Sequence, residues 1–293
     1  MYNNMANRHK SDIYSIWKYS REINNLKVHG HSRGSERSGF YIPELKLCLD
    51  SGIQMYFEPN HIFITHCHAD HSFALPMILT GISTKPDVYV PKQHVHLFNK
   101  FTNACYQLSK GSHNAKPKTH TTIGVSPGDT FHIKNNYYVK VYDLDHNVET
   151  RGYGIVRVKK KLKSEYIGFT GKELVMIKKQ GIEITRDVHE GVLVYITDTT
   201  IKPLHYNDEL FSYSHLLIEC TFLTSQDDSY FIDNDKHHKH INWDELLPYV
   251  KKYPGITFHL IHFSSRYDDE EIEDFFKKEC KNNDLSNVLP WLN

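Results

Sequence analysis

The sequence lacks the features that would place the chain in a membrane or in an oxidising compartment. No apolar run approaches the roughly 20 residues that span a bilayer, and the polar N-terminus has no stretch suited to a secretory signal. The chain has only five cysteines, an odd number without a Cys-x-x-Cys pair, which is typical of reduced intracellular thiols and argues against a disulfide frame. We therefore expect a cytoplasmic protein.

The sequence also lacks net charge. Its 35 basic residues are balanced by 35 acidic ones, so the whole molecule has no general attraction for nucleic acid, and a polyanion site must come from local clustering. An apolar content of 39% in 293 residues predicts a folded chain of one or two domains with a full core. Histidine, by contrast, is abundant, with 21 copies.

Strand and helix patterns alternate along most of the chain. Short apolar runs predict strands, among them 61–65, 137–144, 192–197, 215–219 and 256–261. Segments with the length and start signals of helices are 91–108, 243–252 and 268–278. This mixture predicts α/β layers in which helices cover sheets. Residues 1–27 are polar and mixed in charge, and we expect them to form a poorly ordered N-terminal extension of a domain that spans 28–293.

The clearest functional signal directly follows the strand 61–65. Residues 65–71 read Thr-His-Cys-His-Ala-Asp-His, which places three imidazoles and one carboxylate within six residues. Zinc prefers such nitrogen and oxygen ligands. In an extended loop His66 and His68 share one side and can hold one ion, whereas Asp70 and His71, on the following turn, can face a second. Cys67 would point away from the histidines, and we interpret it as a packing residue.

Two ions need further ligands from later strand ends. His146, Asp198 and His262 each stand at the C-terminal end of an apolar strand. Taken singly, each is more often an ordinary surface residue. Together and in this order they complete a set of seven ligands, and clustering of this kind at strand ends is a signature of an active site.

This pattern resembles a known superfamily. The motif His-x-His-x-Asp-His, followed by His, Asp and His on later strands, resembles that of metallo-β-lactamase-fold proteins. More narrowly, the chain resembles the tRNase Z family in its short, plant-like form, on residues 161–185, 218–222 (Ile-Glu-Cys-Thr-Phe) and 260–267 (Leu-Ile-His-Phe-Ser-Ser-Arg-Tyr). The resemblance covers nearly the whole chain from about Val28. It implies an αβ/βα four-layer sandwich with two mixed β-sheets flanked by helices.

The resemblance also implies a role for each site residue. It implies two zinc ions per subunit, one held by His66, His68 and His146, the other by Asp70, His71 and His262, with Asp198 bridging them. Asp70 would also accept the proton of the attacking water. Glu219 matches the glutamate of a His-Glu-Ala-Thr-like motif, and the family's catalytic histidine is matched by His238 or by His240. The chain departs from the family pattern because Ser-Thr is missing after this histidine and because Thr197 replaces a glycine before Asp198.

By resemblance the chain is a homodimeric endoribonuclease that removes the 3′ trailer of precursor tRNA. Two alternatives remain open. A hydrolase of small thioester, lactone or phosphodiester substrates would use the same seven ligands, because the fold alone does not set the substrate. A non-catalytic RNA-binding relative would keep the fold without the activity.

A basic segment interrupts the strand series between His146 and Asp198. Residues 157–179 contain eight basic and two acidic residues where a plain connection needs only a few residues. A basic cluster is often only a solvated face, but glycines punctuate the segment, which predicts a flexible basic arm over about 157–190. The resemblance implies that this arm holds the tRNA elbow. The candidate phosphate-binding residues are Lys159, Lys160, Lys161, Lys163, Lys172 and, beside the last predicted ligand, Ser264 and Arg266. Arg266 has the alternative of an ion pair with Asp268 or Asp269.

Overall fold

The computed structural model of the chain describes residues 15–116, 120–229 and 239–292. The strands are β1 Ser20–Ile23, β2 Leu26–Gly34, β3 Arg37–Ile42, β4 Leu47–Leu49, β5 His61–Phe63, β6 Asp87–Pro91, β7 Thr121–Val125, β8 Thr130–Lys134, β9 Tyr137–Leu144, β10 Thr150–Leu162, β11 Thr185–Ile196, β12 His215–Glu219, β13 Thr257–Ile261, β14 Phe263–Ser264 and β15 Val288–Pro290. The helices are α1 Ala69–Ser72, α2 Leu75–Gly81, α3 Val95–Lys110, α4 Gly171–Lys179, α5 Lys202–Tyr206, α6 Ser225–Ser229, α7 Trp243–Lys252 and α8 Asp269–Asn283.

The strands form two mixed sheets. The first has the order β1-β2-β3-β4-β5-β6-β7, with β14 paired to β2, and the second has the order β15-β13-β12-β11-β10-β9-β8. Strands β4 to β7 are parallel to one another, as are β11, β12, β13 and β15. Both faces of such parallel strands are covered, which explains why they are nearly continuous apolar runs rather than alternating ones.

Three apolar clusters separate four layers. The middle cluster joins the facing sides of the two sheets, with Phe63 of the first sheet and Tyr153 of the second in ring contact at 5.0 Å. Helices α2 and α3 cover the outer side of the first sheet through Ile78 and Phe98. Helices α7 and α8 cover the second sheet through Trp243 and Phe276. This αβ/βα arrangement confirms the predicted four-layer sandwich. Across the described ranges, no helix has the length and apolar character that a membrane crossing requires.

The domain begins earlier than the sequence predicted. Strand β1 pairs with β2 at the edge of the first sheet, and Trp17 and Ile23 are buried. The Trp17 indole also donates a hydrogen bond to the carbonyl oxygen of Gln54. Residues 15–27 are therefore part of the packed domain, and the boundary predicted at residue 28 is wrong for them. Polar residues at the exposed positions of β1 and β2 hid these strands from the sequence pattern. Residues 1–14 of the predicted extension lie outside the described residues.

The strand directions bring several loops to one edge of the molecule. Strands β9 and β11 each run antiparallel to β10, and β11, β12 and β13 are parallel. Consequently β9, β11, β12 and β13 end at the same edge. The backbone N–H of Arg151 donates to the carbonyl oxygen of Thr65, which ties the loop after β5 to this edge.

Candidate metal centre

The motif loop lies between β5 and α1. Its backbone is extended at His68, with φ −64° and ψ 153°, and α1 starts at the next residue. Gly52 packs so closely beneath it that a Cβ there would clash with the carbonyl oxygen of Asp70. Only glycine allows this approach, which holds the motif against the neighbouring strand end. Cys67 is half-buried against the apolar residues between the first sheet and its helices.

Three imidazoles and one carboxylate oxygen meet at the first ligand position. His68 Nδ1 lies 3.0 Å from His66 Nε2 and 3.3 Å from His146 Nε2. The Oδ2 atom of Asp198 is 3.5 Å from His66 Nε2 and 3.7 Å from His146 Nε2. All four ligand atoms therefore point at one small volume.

The second position uses the other oxygen of the same aspartate. Asp198 Oδ1 lies 3.1 Å from His71 Nε2 and 3.2 Å from His262 Nε2. Those two nitrogens are 3.3 Å apart. Asp70 Oδ2 completes the group at 3.4 Å from His71 Nε2 and 3.7 Å from His262 Nε2. Asp198 therefore presents one oxygen to each group of ligands.

These spacings fit divalent metal ions. Ligands on a tetrahedral zinc ion with bonds of about 2.0–2.1 Å lie roughly 3.3–3.4 Å apart. The contacts in both groups range from 3.0 to 3.7 Å. Imidazole nitrogen and carboxylate oxygen suit zinc, iron and manganese, so the donor atoms are compatible with metal binding but do not select one metal.

A buried aspartate orients two of the imidazoles. Asp50 accepts hydrogen bonds from His71 Nδ1 at 2.8 Å, from Tyr195 Oη at 2.9 Å and from the backbone and hydroxyl of Thr65. Because the Thr65 hydroxyl donates to Asp50, its oxygen is free to accept from Nδ1 of His66, 3.0 Å away. Hydrogen bonds at Nδ1 leave Nε2 of each ring as the atom that could bind a metal.

A buried glutamate makes similar contacts to two other imidazoles, those of His262 and His240. Glu219 Oε2 accepts from the Thr221 hydroxyl at 2.6 Å and from Nδ1 of His240 at 3.0 Å. The oxygen of Thr221 lies 3.1 Å from Nδ1 of His262, and the backbone N–H of Thr199 donates to Oε1 of Glu219. The same carboxylate therefore holds both the candidate ligand His262, through Thr221, and His240.

Burial and neighbouring charges strongly shift the pKa values of the histidines and aspartates in this cluster. Burial lowers the pKa of His66 well below its usual value. Burial also opposes the charged form of His71, but Asp198 and Asp50 more than offset it, so the pKa of His71 lies well above its usual value. Burial would raise the pKa of Asp70, yet hydrogen bonds from His262 and His71 hold that pKa far below its usual range. An imidazole must be neutral to bind a metal, so metal and proton compete for His71.

His240 is the histidine that the structure places on Glu219. Burial lowers the pKa of His240, but Glu219 raises it, to about 9 overall. Its ring centroid lies 5.4 Å from that of His262 and 5.1 Å from that of His146, between the two groups of ligands. His238, the other candidate for the catalytic histidine, lies outside the described residues.

The residues after the last candidate ligand lie beside the centre. The backbone N–H of Ser264 donates to the carbonyl oxygen of Thr221. The Arg266 guanidinium donates to the carbonyl oxygen of Asp227 at 3.1 Å and lies over the ring of Phe222 at 5.3 Å. Asp269, one of the two carboxylates that the sequence offered as a partner of Arg266, forms an ion pair with Arg33 at 3.3 Å.

The predicted basic arm is a two-stranded ribbon that carries a helix. Strands β10 and β11 pair as far as Leu162 and Thr185, and a capping box of Thr170 and Glu173 begins α4. Two of the candidate lysines pair with carboxylates: Lys159 with Glu190, and Lys160 with Glu183 and Asp187. In the described part of the chain, no carboxylate lies within ion-pair distance of the other candidates, which are Lys161, Lys163 and Lys172.

Sequence reasoning missed the residues that support the ligands. Asp50 directly follows the apolar strand β4. A polar residue after an apolar strand is the signal that identified His146, Asp198 and His262, so the same signal could have identified Asp50. Thr65 and Thr221 gave no signal, because a threonine beside a motif becomes informative only when its hydroxyl partners are known.

Known proteins resemble this chain in sequence and in fold. No family model matches it. The tRNase Z TRZ1 of Arabidopsis thaliana is 28% identical over 265 residues, which cover 88% of this chain and 92% of that protein. A nuclear ribonuclease Z of Triticum aestivum is 30% identical over 173 residues, covering 57% of this chain and 96% of that protein.

Solved structures share the fold. The metallo-β-lactamase-fold protein YhfI of Bacillus subtilis has a TM-score of 0.54 at 17% identity, covering 88% of this chain and 92% of that one. The short form of human tRNase Z has a TM-score of 0.51 at 16% identity, covering 90% of this chain and 95% of that one. At such identities the likeness concerns the fold alone.

Proposed function

The chain belongs to the ribonuclease Z family, and we propose that it is a metal-dependent endoribonuclease that removes the 3′ trailer of precursor tRNA. It would hydrolyse the phosphodiester after the discriminator region, leaving tRNA with a 3′-hydroxyl and a trailer with a 5′-phosphate. The observation that carries this proposal is the position of the Glu219–His240 pair beside two groups of ligands that share Asp198. Ligands alone would equally suit a small-substrate hydrolase.

We propose two zinc ions per subunit. His66, His68, His146 and Asp198 would hold one, and Asp70, His71, His262 and Asp198 the other. When bound, such a pair supplies a water activated at neutral pH and offsets negative charge on the phosphoryl oxygens.

Two side chains would then transfer protons, one as the acceptor and one as the donor. The Asp70 carboxylate lies beside His71 and His262 and would accept the proton of the attacking water. His240, with a pKa of about 9, is protonated at neutral pH and would donate to the departing ribose 3′-oxygen. Glu219 would fix the direction of that donation by holding Nδ1, which leaves Nε2 to face the substrate.

The ribbon would supply most of the affinity for RNA. Lys161 lies on β10, Lys163 directly follows β10, and Lys172 lies on α4. Lysines bind phosphates without recognising the RNA sequence. The binding that they provide should weaken steeply with salt. Ser264 and Arg266 lie closer to the metal centre and would contact a phosphate next to the scissile bond.

We further propose that the protein is a homodimer. Phe73 directly after α1, Met77 on α2 and Leu97 on α3 are exposed apolar side chains, and Phe101 on α3 packs on Phe73 at 5.1 Å. Exposed apolar side chains on neighbouring helices are typical of an interaction site. Light scattering should give the mass of a dimer, and Leu97→Glu should shift it to the mass of one chain.

One assay separates the competing functions. Purified protein is incubated with a 3′-extended precursor tRNA, with bis(p-nitrophenyl) phosphate and with a thioester, each with and without a metal chelator. The proposal predicts chelator-sensitive cleavage of the RNA at the end of the acceptor stem. Hydrolysis of the thioester alone would support a small-substrate hydrolase, and binding of the RNA without cleavage would support a non-catalytic relative.

A further inference from the structure

The residue before His240 connects the segment that carries this histidine to the loop that carries His146. The Lys239 ammonium donates to Oδ1 of Asp145 and to the backbone carbonyl oxygen of His146, each at 2.9 Å. In return, the carbonyl oxygen of Lys239 accepts from Nδ1 of His146 at 3.0 Å. Lys239 is therefore tied through both its side chain and its backbone to two adjacent residues that stand 94 and 93 positions earlier in the chain.

Asp145 is itself fixed by the segment that follows β11. Its Oδ2 atom accepts from the Thr200 hydroxyl at 2.8 Å, and its backbone N–H donates to the Thr199 hydroxyl at 3.0 Å. The backbone N–H of Thr200 donates to the carbonyl oxygen of Asp145 at 2.9 Å. The Lys239 ammonium is thus bound to an acceptor that is held beside Asp198, the aspartate shared by both groups of ligands.

His240 has its other anchors at Glu219 and on its C-terminal side. Its own Nδ1 and the backbone N–H of Ile241 both donate to Oε2 of Glu219. The carbonyl oxygen of Ile241 accepts from the backbone N–H of Thr221 at 2.9 Å. Lys239 supplies the matching anchor on the N-terminal side, so the backbone at His240 is held from both directions.

The Lys239 contacts set the distance between His240 and the first ligand position. A general acid must keep its proton within hydrogen-bond reach of the departing oxygen, and a misplacement of about 1 Å can lower a rate about 100-fold. We propose that Lys239 is a positioning residue, which holds the proposed acid His240 against the loop of His146 through its contacts with Asp145 and His146. This inference rests on the proposed function.

A lysine near the metal centre could instead bind a substrate phosphate, and Lys202 separates the two roles. Its ammonium pairs with Oδ2 of the same Asp145 carboxylate at 3.1 Å, and its side chain is more exposed than that of Lys239, 67% against 34%. In the part of the chain that the structure describes, Lys202 has no hydrogen bond to His146 or to residues 239–242. Lys202→Met is therefore the matched control, because it removes the same charge beside the same carboxylate.

The test uses two forms of precursor tRNA that differ in one atom of the scissile bond. One has the natural oxygen at the 3′ bridging position and the other has sulfur there, which departs as a thiolate without a proton. In Lys239→Met we expect kcat to fall about 10–100-fold for the oxygen substrate, with unchanged KM, and to stay near the wild-type value for the sulfur substrate. Lys202→Met should match wild type on both, and Lys239→Arg, which keeps a cation, should recover most of the loss.

Two further measurements show whether Lys239 acts through His240. Lys239→Met combined with His240→Ala should have the kcat of His240→Ala alone, because the group to be positioned is already absent. In the metal-loaded protein, the Nδ1 hydrogen that His240 donates to Glu219 should give a downfield ¹H signal. This signal should persist in Lys202→Met and broaden or vanish in Lys239→Met.

The melting temperature and the zinc content report whether Lys239→Met retains the fold and the metal centre, and both should match wild type. If the variant fails to fold, Lys239→Gln replaces it. Glutamine keeps one donor group, so its loss of kcat should be smaller but should again be confined to the oxygen substrate.

Equal losses on the oxygen and sulfur substrates, or a raised KM with normal kcat, would overturn the positioning role. So would a further loss of kcat when Lys239→Met is added to His240→Ala. A wild-type protein that does not cleave precursor tRNA would refute the proposed function, and the ¹H signal would then decide this inference by itself. An unchanged His240 signal in Lys239→Met would show that Lys239 does not hold this histidine.

Discussion

Two threonine hydroxyls connect buried carboxylates to candidate metal ligands. Thr65 donates to Asp50 and lies 3.0 Å from His66, and Thr221 donates to Glu219 and lies 3.1 Å from His262. A hydroxyl has one hydrogen to donate, so each threonine must accept from the imidazole. This direction of hydrogen bonding places the imidazole hydrogen on Nδ1 and leaves Nε2 able to bind a metal.

The Thr221 hydroxyl should therefore set metal affinity. Thr221→Val keeps the shape but leaves Nδ1 of His262 without an acceptor, and we expect zinc to bind about 10–100-fold more weakly. Thr221→Ser keeps the hydroxyl and should bind zinc like wild type. Competition with a chromophoric chelator measures the affinity, and ¹⁵N shifts of the histidines report the tautomer in the metal-free protein. Wild-type affinity and tautomer in the valine variant would refute the role of this hydroxyl.

His240 should act only where the leaving group needs a proton. His240→Ala removes the proposed acid, and we expect kcat for precursor tRNA to fall by about 10²–10⁴-fold. Bis(p-nitrophenyl) phosphate has a leaving group that departs without a proton, so its hydrolysis should change little. His238→Ala serves as the comparison, because it tests the alternative that the sequence left open. A larger loss in His238→Ala than in His240→Ala would reverse the assignment.

The ribbon is the element that the proposal assigns to RNA binding. Leu162 and Thr185 are partners in the β10–β11 register, so Asn-Gly can replace residues 163–184 and close a two-residue hairpin without disturbing the sheet. The truncated protein should show a higher KM for precursor tRNA and normal hydrolysis of bis(p-nitrophenyl) phosphate. Equal losses on both substrates would show that the ribbon supports the fold instead.

Sequence patterns predicted the buried elements well and the edge elements poorly. Strands β9 and β12 and helix α7 have the predicted bounds, because continuous apolar runs or a clear helix start define them. Strand β2 was missed because its inward positions change from Leu26 and Val28 to Gly30 and Ser32, which removes the apolar alternation. The ribbon was predicted as a flexible segment because its strands are solvent-exposed and charged, and charge masks the period-two pattern.

Strand ends were the most informative positions for the site. His146, Asp198 and His262 follow apolar strands, and the structure brings all three to the histidine motif. The choice between His238 and His240 depends on which ring reaches Glu219, a three-dimensional relation that no spacing rule encodes.

The stability of the whole molecule should depend on pH through a buried histidine that is not one of the candidate metal ligands. His259 is buried, with Nδ1 3.3 Å from Arg21 and Nε2 3.1 Å from His215. Burial, together with Arg21 and His215, lowers the pKa of His259 to about 3. The unfolded chain, with a histidine pKa near 6.5, therefore binds more protons than the folded protein between pH 6.5 and 3.

Acid should accordingly destabilise the fold through this group. Stability is unaffected by His259 above pH 7 and falls as the pH drops through 6.5, by about 2 kcal/mol at pH 5. Urea unfolding of the metal-free protein at pH 7 and pH 5 measures the difference. His259→Gln should show a smaller pH dependence than wild type, whatever its absolute stability. An identical dependence in both proteins would mean that His259 is not buried in its neutral form.

The central claim is that seven side chains from separate strand ends hold a pair of metal ions around Asp198. The most direct test is the zinc content per chain after removal of free metal, measured by mass spectrometry for wild type, for Asp198→Ala and for Asp208→Ala as an exposed control. We predict two equivalents in wild type and in the control, and at most one, without RNA cleavage, in Asp198→Ala. A wild-type protein without bound metal, or two equivalents retained in Asp198→Ala, would contradict the account.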